Sequence, residues 1–382
     1  MASIVVSGSM LRHPLAGNVA ACLQYVVGLH LLGHDVVYVE DRGWPESCYD
    51  PRTATVGDYP RAGLALVRDL LRRNRVDVPV VWVDADAGLV EGMLWPQLRE
   101  RLASASLLLD VGGVFGLEER ALARCRALVD VEPLFTQVER FVGGADYDVH
   151  FSYGVNTGRP WCGVPTAGID WLPTVPPIVP QLWKAPPPRA DAPLTTVVDW
   201  MAYRGAEHGG VWYGQDGAVE RLLELPTRVG STLELALSGQ SERVHGRLSA
   251  AGWVLRDADE ITASHATYSS YIRRSQGEFS VAKQAYVATR SGWFSGRSAC
   301  YLAAGRPVIV QDTGLGEWLD TGLGVLTFDG AEGAARAVER VGRELGVHSQ
   351  AALAIARDVF HYGVVLERLL GRAMPRRLGA VV

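Results

Sequence analysis

The sequence predicts an α/β protein of two domains, each a doubly wound parallel sheet, which face each other across a cleft. Its 382 residues are more than one ordinary hydrophobic core accommodates. Short apolar strands alternate with amphipathic helices in both halves, which is typical of parallel sheets. A proline-rich segment separates the halves. Because such sheets bind ligands at the carboxyl ends of their strands, we expect the functional site in the cleft.

The N-terminal segment carries the clearest strand–helix–strand pattern. Residues 4–6 are a short buried strand that ends at Gly8. Asn18 opens a helix with one apolar face, Gly33 ends it, and residues 36–39 are the second strand. The alternation then continues with helix 62–73, strand 78–83, helix 94–103, strand 107–110, helix 118–127 and strand 128–131. Residues 151–172, rich in glycine, proline and aromatics, are expected to form ordered loops at a wall of the cleft.

Prolines mark the boundary between the two domains. They are Pro173, Pro176, Pro177, Pro180, Pro186, Pro187, Pro188 and Pro193. Proline lacks a backbone N–H, so this stretch cannot be a helix or a central strand. We predict a first domain at 1–172, a linker at 173–193 and a second domain at 194–355. The second domain's strands are expected at 195–198, 233–237, 253–255, near 279, at 307–310 and at 325–326, and a last amphipathic helix at 349–373.

Composition argues against several other classes of protein. The net charge is −5 and no basic stripe occurs, so we expect no nucleic-acid partner. Five scattered cysteines without C-x-x-C spacing predict neither a disulfide framework nor a metal site. The apolar N-terminus lacks a basic flank and is predicted to be a strand, not a signal peptide. No apolar run reaches the roughly 18–20 residues that cross a bilayer. We expect a cytoplasmic protein without a membrane span.

The sharpest motif lies between Gly292 and Gly314. A glycine-bearing loop leads into a helix of small residues, the helix ends at Gly305, and an apolar strand follows. A helix N-terminus presents unpaired N–H groups and a partial positive charge, which suits a diphosphate. Ser295, Arg297 and Ser298 would add side-chain donors. An ordinary loop–helix–strand unit has the same spacing, and that alternative stays open.

This segment resembles the donor-binding motif of GT-B glycosyltransferases, in which E-x-F-G is followed by E-A-M-A-x-G-x-P-V-I. Phe294-Ser295 match the F-G, and residues 303–309, Ala-Ala-Gly-Arg-Pro-Val-Ile, follow in step. The resemblance implies two Rossmann-like domains facing a cleft and a nucleotide-sugar substrate. It also assigns positions to the donor. The phosphates or ribose would contact Gly292, Trp293, Ser295, Arg297 and Ser298, and the sugar would lie near Asp312, Thr313 and Gly314.

The N-terminal half resembles the same class. Gly17-Asn18-Val19 and Gly33-His34-Asp35-Val36 have the separation of the G-H-V and G-H-x-V segments of UDP-glycosyltransferases of the antibiotic and plant types. In retaining GT-B enzymes a glycine-rich turn here brings amides to the phosphates. Gly17 and Asn18 match that role. In GT-B proteins the C-terminal helix also crosses back to the first domain, and residues 356–382 are expected to do so.

This sequence lacks the family's catalytic residues at the positions that match the motifs. Gly292 and Cys300 stand where the retaining motif has glutamates, and Asn18 stands where inverting enzymes have their histidine base. The sequence therefore leaves the stereochemical outcome open. It also leaves open a non-catalytic nucleotide-sugar-binding protein, or an epimerase, of the same fold.

Other groups are candidates for the chemistry. His13 and Asp110 are the predicted catalytic residues; the alternatives are that His13 is simply exposed, as a lone loop histidine more often is, and that Asp110 caps the next turn. Arg204 and Lys283 are predicted to stabilise the leaving diphosphate, the alternative being surface ion pairs. The weaker candidates are Asp130, Glu132, Asp146, Asp148 and His150.

Together these observations predict a hexosyltransferase-like enzyme. Its substrates would be a UDP- or TDP-linked sugar and a small-molecule acceptor, with a secondary metabolite as our expectation because the first half is rich in aromatics. We expect no cofactor, since a pyridoxal-phosphate phosphorylase needs a Schiff-base lysine and the chain has only Lys184 and Lys283. A homodimer is included among the expected partners.

Overall fold

The computed structural model describes residues 1–140, 146–200, 205–213 and 219–374, without the side chains of residues 139 and 140. It contains one large sheet in each half of the chain, of eight strands in the first and six in the second. Helices cover the faces of both sheets. The predicted α/β class, with two doubly wound sheets, is confirmed.

The first half is built on a nearly all-parallel sheet. Its strands lie in the order β10-β9-β8-β7-β1-β2-β5-β6, and only the edge pair β5–β6 is antiparallel. A small antiparallel hairpin, β3–β4, stands apart from the sheet. The elements are β1 (Ser3–Ser7), α1 (Ala16–Leu31), β2 (Asp35–Asp41), β3 (Cys48–Asp50), β4 (Thr55–Gly57), α2 (Arg61–Arg73), β5 (Val80–Asp84), β6 (Leu89–Glu91), α3 (Trp95–Ser104), β7 (Leu107–Val111), β8 (Arg126–Asp130), β9 (Val149–Ser152) and β10 (Trp171–Pro173).

The second half contains an all-parallel sheet in the order β15-β14-β11-β16-β17-β18. A second hairpin, β12–β13, follows its central strand β11. The elements are β11 (Leu194–Asp199), β12 (Ala206–His208), β13 (Val211–Tyr213), β14 (Leu233–Ser238), α4 (Glu242–Ala250), β15 (Val254–Asp257), α5 (Ala258–Thr262), α6 (His265–Arg274), β16 (Gly277–Ser280), α7 (Gln284–Ala288), α8 (Gly296–Ala303), β17 (Val308–Gln311), β18 (Val325–Phe328), α9 (Ala331–Arg343), α10 (Leu345–Ile355) and α11 (Tyr362–Ala373).

The structure corrects one predicted helix in the first half. Instead of a helix over 118–127, one 3-10 turn spans Glu118–Leu122. Residues beyond it are drawn into the sheet, because Arg126 and Ala127 pair with Leu108 and Leu109 of β7. The last two residues of the predicted helix are therefore the start of β8.

The predicted last helix is also interrupted. A π-helical turn, Ala356–Phe360, ends at His361, whose backbone is extended, and α11 begins after it. At this break Ile178 of the proline-rich segment donates its N–H to Phe360 O at 2.7 Å and accepts one from Tyr362 N at 2.9 Å. The two chain segments that join the halves are thus hydrogen-bonded to each other. Beyond the break α11 packs against α1.

A continuous apolar core joins the two halves. Helix α1 packs on the first sheet and also contacts α6, α8 and α11, so its face is buried from several sides. The other face of the first sheet is covered by α3. A separate cluster lies between the second sheet and the helices α4 and α9. The shared core holds the carboxyl ends of the two sheets toward each other.

We predict opposite effects for two helical Gly→Ala substitutions. A Cβ at Gly28 would come within 2.7 Å of Leu366 Cδ1 and 2.9 Å of Tyr362 Cβ, whereas nothing lies within 4 Å of one at Gly246. Gly28→Ala should lower the free energy of unfolding by about 1–3 kcal/mol through overpacking of α1 against α11. Gly246→Ala in α4 should raise it by about 0.4–1 kcal/mol. Urea-induced unfolding measures both. Equal effects would contradict the close α1–α11 contact.

Candidate functional site

The segment 289–298 consists of a loop that is held in place by hydrogen bonds, followed by the N-terminus of α8. Gly292 has φ of +73°, a conformation that favours glycine, and its N–H donates to Thr313 O at 2.7 Å. Thr313 Oγ1 in turn donates to Trp293 O at 2.8 Å. Asp312 Oδ1 accepts from Gly314 N at 2.9 Å and from Leu315 N at 3.1 Å. The residues predicted near phosphate and sugar therefore belong to two loops that brace each other.

Helix α8 begins beside a narrow pocket. Ser295 is its N-cap and accepts a hydrogen bond from Arg297 N at 3.1 Å. Ser298, in the first turn, is fully buried, and its Oγ has no hydrogen-bond partner among the described residues. We call the space next to it the Ser298 pocket; its lining includes Ser280, Ala282, Trp293, Ser295, Ser298, Gln311 and Thr313.

An unpaired buried hydroxyl is costly. Leaving such a group without a partner costs about 1–3 kcal/mol, so native structures rarely do so without a reason. The hydroxyl of Ser298 stands in the first turn of α8, where the N–H of Arg297 is capped by Ser295 and the other N–H groups have no carbonyl of a preceding turn to bind. Hydroxyl and amide donors therefore converge on one wall of the Ser298 pocket. This arrangement suits an anionic oxygen-rich ligand.

Lys283 lies close by, just after β16, and contacts the first half of the chain. Its Nζ donates to the carboxylate of Glu132, which follows β8, and to Tyr286 Oη at 2.9 Å. Tyr286 Oη also donates to Glu132. Burial lowers the pKa of Lys283 to about 8, although the neighbouring Glu132 carboxylate opposes this shift. The ammonium is thus less firmly protonated than a surface lysine.

Asn156 connects the two halves at the same loop and was not predicted. Its backbone N–H donates to Ser291 O at 3.0 Å, and its Nδ2 donates to Arg290 O at 2.9 Å and Gly314 O at 3.0 Å. A Cβ on Gly292 would lie 2.7 Å from Asn156. Packing against Asn156 therefore explains why no larger residue, such as the glutamate of the family motif, stands at 292. The predicted cleft wall at 151–172 was the only sequence signal for this contact.

Trp293 closes the other side of the loop. Its Nε1 donates to Val131 O in the first half at 3.1 Å, and its ring stacks at 4.4 Å on that of Tyr286. The Ser298 pocket has a cavity volume of about 10 Å³. Ligand pockets commonly measure about 300–1,000 Å³, so this pocket must enlarge to admit part of a nucleotide.

The contacts of the Arg297 side chain differ from those that the sequence predicted. Its guanidinium pairs with Glu278 Oε1 at 2.6 Å and donates to Val197 O at 2.9 Å and to Ser280 Oγ at 2.7 Å. It is therefore directed between β11 and β16, where Glu278 is fully buried, rather than toward the phosphate position. Pairing of a buried carboxylate is the physical reason. Cys300, which replaces a motif glutamate, donates its Sγ to Gly296 O inside α8.

The two predicted catalytic residues do not meet. Asp110 is fully buried and accepts from Val114 N and Phe115 N, both at 3.1 Å, and from Tyr147 Oη at 2.5 Å. These contacts match the alternative in which Asp110 caps the turn that follows its strand. His13 is partly exposed on the loop before α1, and burial, then Arg12, lower its pKa. No hydrogen bond or ion pair joins the two residues in the described chain.

The remaining candidates have varied surroundings. Helix α1 begins at Ala16, so Gly17 and Asn18 are in its first turn, and both are exposed. Asp130 is buried and accepts from Ser152, Gln137 and Glu132 N. Asp146 pairs with Arg120 and Asp148 with Arg126, while His150 packs edge-on against Trp171. Arg204 lies outside the described residues.

Other kinds of site receive no support within the described ranges. No group of three or more histidine, cysteine or acidic side chains is arranged to hold a metal ion there. The five cysteines are all free. None of the described helices combines the length and apolar character that a membrane span requires.

The two facing sheets, the paired linker and returning chain, and the loop–α8 site define the GT-B glycosyltransferase fold. Neither a protein-family model nor a curated protein matches the sequence. The fold is shown by solved structures that match over nearly the whole chain. Their sequence identities are low, so the likeness concerns the fold.

Two of these structures are glycosyltransferases, and a third is a complex with UDP and glucose. AviGT4, a glycosyltransferase involved in avilamycin A biosynthesis, has a TM-score of 0.57 and 12% identity, covering 98% of this chain and 97% of its own. An alpha-glucosyltransferase in complex with UDP and DNA has a TM-score of 0.59 and 9% identity, covering 97% and 98%. Anabaena HepE in complex with UDP and glucose has a TM-score of 0.53 and 11% identity, covering 97% and 99%.

We predict that Arg297 contributes mainly to stability. Arg297→Met should lower the free energy of unfolding by about 3–5 kcal/mol, because it leaves the buried Glu278 carboxylate unpaired. Adding Glu278→Gln should restore part of the loss. The control Arg336→Met breaks an exposed ion pair with Glu332 and should change stability by less than about 0.5 kcal/mol. Urea-induced unfolding measures all three. A stable Arg297→Met protein would contradict this role.

Proposed function

We propose that this protein is a glycosyltransferase that transfers a sugar from a nucleotide-diphosphate donor to a small-molecule acceptor in the cleft. One observation carries the proposal: the buried, unpartnered Ser298 hydroxyl at the start of α8, beside the cleft-facing Lys283. Solved structures of the same fold include complexes with UDP, which supports a nucleotide as the ligand.

In this proposal the diphosphate lies against the N-terminus of α8. Amide N–H groups and the Ser298 hydroxyl hold its oxygens, and Lys283 neutralises the charge that develops as the sugar–phosphate bond breaks. Arg204, predicted from the sequence, is a further candidate cation for this step. The sugar then lies toward Asp312, Thr313 and Gly314, the loop braced against Gly292.

The acceptor would enter from the first half. Exposed aromatics lie near its cleft-side loops, with Trp44 53% and Tyr59 39% exposed. Exposed rings suit an apolar small molecule, and participation of AviGT4 in avilamycin A biosynthesis supports a secondary metabolite. His13 is the candidate base in this part of the cleft.

A nucleic-acid acceptor is less consistent with the charges. The alpha-glucosyltransferase of the same fold is bound to DNA. In this chain the net charge is −5 and many described arginines are paired with carboxylates, as Arg42 is with Asp84 and Arg126 with Asp148. DNA binding requires unpaired cations along a surface.

A non-catalytic nucleotide-sugar-binding protein is the second candidate. Two observations favour it. Both motif glutamates are replaced, and the carboxylate of Asp110 accepts hydrogen bonds from loop amides. Incubation with UDP- and TDP-linked hexoses distinguishes the two. Release of nucleoside diphosphate with acceptor extracts, or slow donor hydrolysis without them, supports the enzyme; donor binding without any turnover supports the second candidate.

Ser298→Ala should weaken binding of nucleoside diphosphates by about 1–3 kcal/mol, the size of a lost hydrogen bond to a charged group. The control Ser269→Ala removes a buried serine hydroxyl of α6 that donates to Ala266 O. It should leave binding unchanged. Calorimetric titration with UDP, TDP and GDP measures both variants. Equal affinities of Ser298→Ala and the unaltered protein would remove the proposed phosphate site.

Nucleotide affinity should also depend on the protonation of Lys283. Its pKa of about 8 in the empty site should rise when phosphates bind, so binding takes up a proton above pH 8. Affinity is therefore full below pH 8 and falls as the pH rises, by up to about tenfold per pH unit. Lys283→Arg keeps its charge and should flatten this profile between pH 8 and 9.5. The same profile in both proteins would place Lys283 away from the phosphates.

A further inference from the structure

An ion pair crosses the cleft beside the Ser298 pocket. Glu132, from the first half, accepts on one oxygen, Oε2, both from Lys283 Nζ and from Tyr286 Oη of the second half. Two donors that converge on one anionic oxygen are the arrangement a phosphate oxygen would also satisfy. The carboxylate therefore supplies, within the protein, the charge that a ligand would bring.

The surroundings make this pair stronger than an ordinary surface contact. The side chain of Lys283 is 23% exposed and that of Glu132 is 37% exposed. The Lys283 ammonium lies 5.6 Å from the ring centroid of Phe135 and 5.1 Å from that of Tyr286. Rings on two sides limit its hydration, so an anionic partner gains more here than in open solvent.

The ion pair and the wall of the pocket form one unit. Trp293 lines the Ser298 pocket, stacks on Tyr286 and donates to Val131 O, one residue before Glu132. Residues 131–132 therefore hold both Lys283 and Trp293 in place. Enlarging the pocket for a nucleotide requires these contacts to separate.

We propose that Glu132 is an internal counter-ion that occupies, on Lys283 and Tyr286, the position the donor diphosphate takes, so that donor binding displaces it. This inference rests on the proposed function and adds a determinant of donor affinity that lies in the opposite half of the protein. Donor entry then exchanges one anion for another at Lys283 and frees Val131 and Trp293 to separate.

The test is the affinity of Glu132→Gln for the nucleoside diphosphate that the unaltered protein binds best. Removing the competing charge should tighten binding by about three- to tenfold, the size of one partly buried charge-assisted contact. The matched control is Glu91→Gln. Glu91 is also in the first half, is 30% exposed and pairs with Arg68 at 2.7 Å, but it lies on the far edge strand β6. The control should not change affinity.

A double-mutant cycle identifies the partner. In a Lys283→Met background Glu132→Gln should have a much smaller effect, because the Tyr286 hydroxyl is then the one remaining donor for which Glu132 and the diphosphate compete. Unchanged or weaker binding by Glu132→Gln, or the same tightening without Lys283, overturns the inference alone. If the unaltered protein binds none of UDP, TDP and GDP, that result contradicts the proposed function itself, and this inference with it.

A second measurement follows Lys283 directly, and its first comparison uses the unaltered protein. The chain has two lysines, so Lys184 is an internal reference when acetic anhydride labels the amines and mass spectrometry compares the two peptides. The bound nucleotide should lower acetylation of Lys283 relative to Lys184. Glu132→Gln should raise it several-fold in the empty protein, since the amine loses its counter-ion. A nucleotide that binds but leaves Lys283 labelling unchanged overturns the inference.

Discussion

The contact of Asn156 with two carbonyls of the opposite half is the constraint on which the site depends. By donating to Arg290 O and Gly314 O, it holds the loop before α8 and the loop after β17 in one position. Gly292 must lack a side chain for this approach. Two loops of the second domain are thus braced by a residue of the first. The geometry of the proposed phosphate position is consequently a property of both domains.

This constraint also accounts for the departure from the family's motif. A glutamate at 292 would collide with Asn156, and Cys300 is buried within α8, where it donates to Gly296 O. A carboxylate at 300 would be desolvated there without a partner. Among the described residues, the groups we propose for charge stabilisation are the helix terminus, the hydroxyl of Ser298 and the ammonium of Lys283. In the proposed function these groups hold an anion and take no proton from the acceptor, so the base belongs to another part of the cleft, with His13 as the candidate.

Much of the architecture could be predicted from the sequence, because parallel strands and the loop–helix–strand unit at 292–314 have strong local patterns. The prediction of a helix at 118–127 was wrong because strand pairing with β7 overrode a helical pattern. The break at His361 depends on Ile178, which is distant in sequence. The sequence predicted Arg297 at the phosphates. Its pairing with Glu278 is a tertiary contact, which the spacing of residues in the sequence does not reveal. For the same reason the roles of Asn156 and Glu132 could not be derived from spacing.

The most direct measurement of the central claim is a crystal structure with UDP, TDP or GDP bound. We expect the diphosphate to lie against the first turn of α8, within hydrogen-bond distance of Ser298 Oγ, and Lys283 to have moved from Glu132 to a phosphate oxygen. A nucleotide bound elsewhere, or bound with Ser298 still unpaired, would contradict the account.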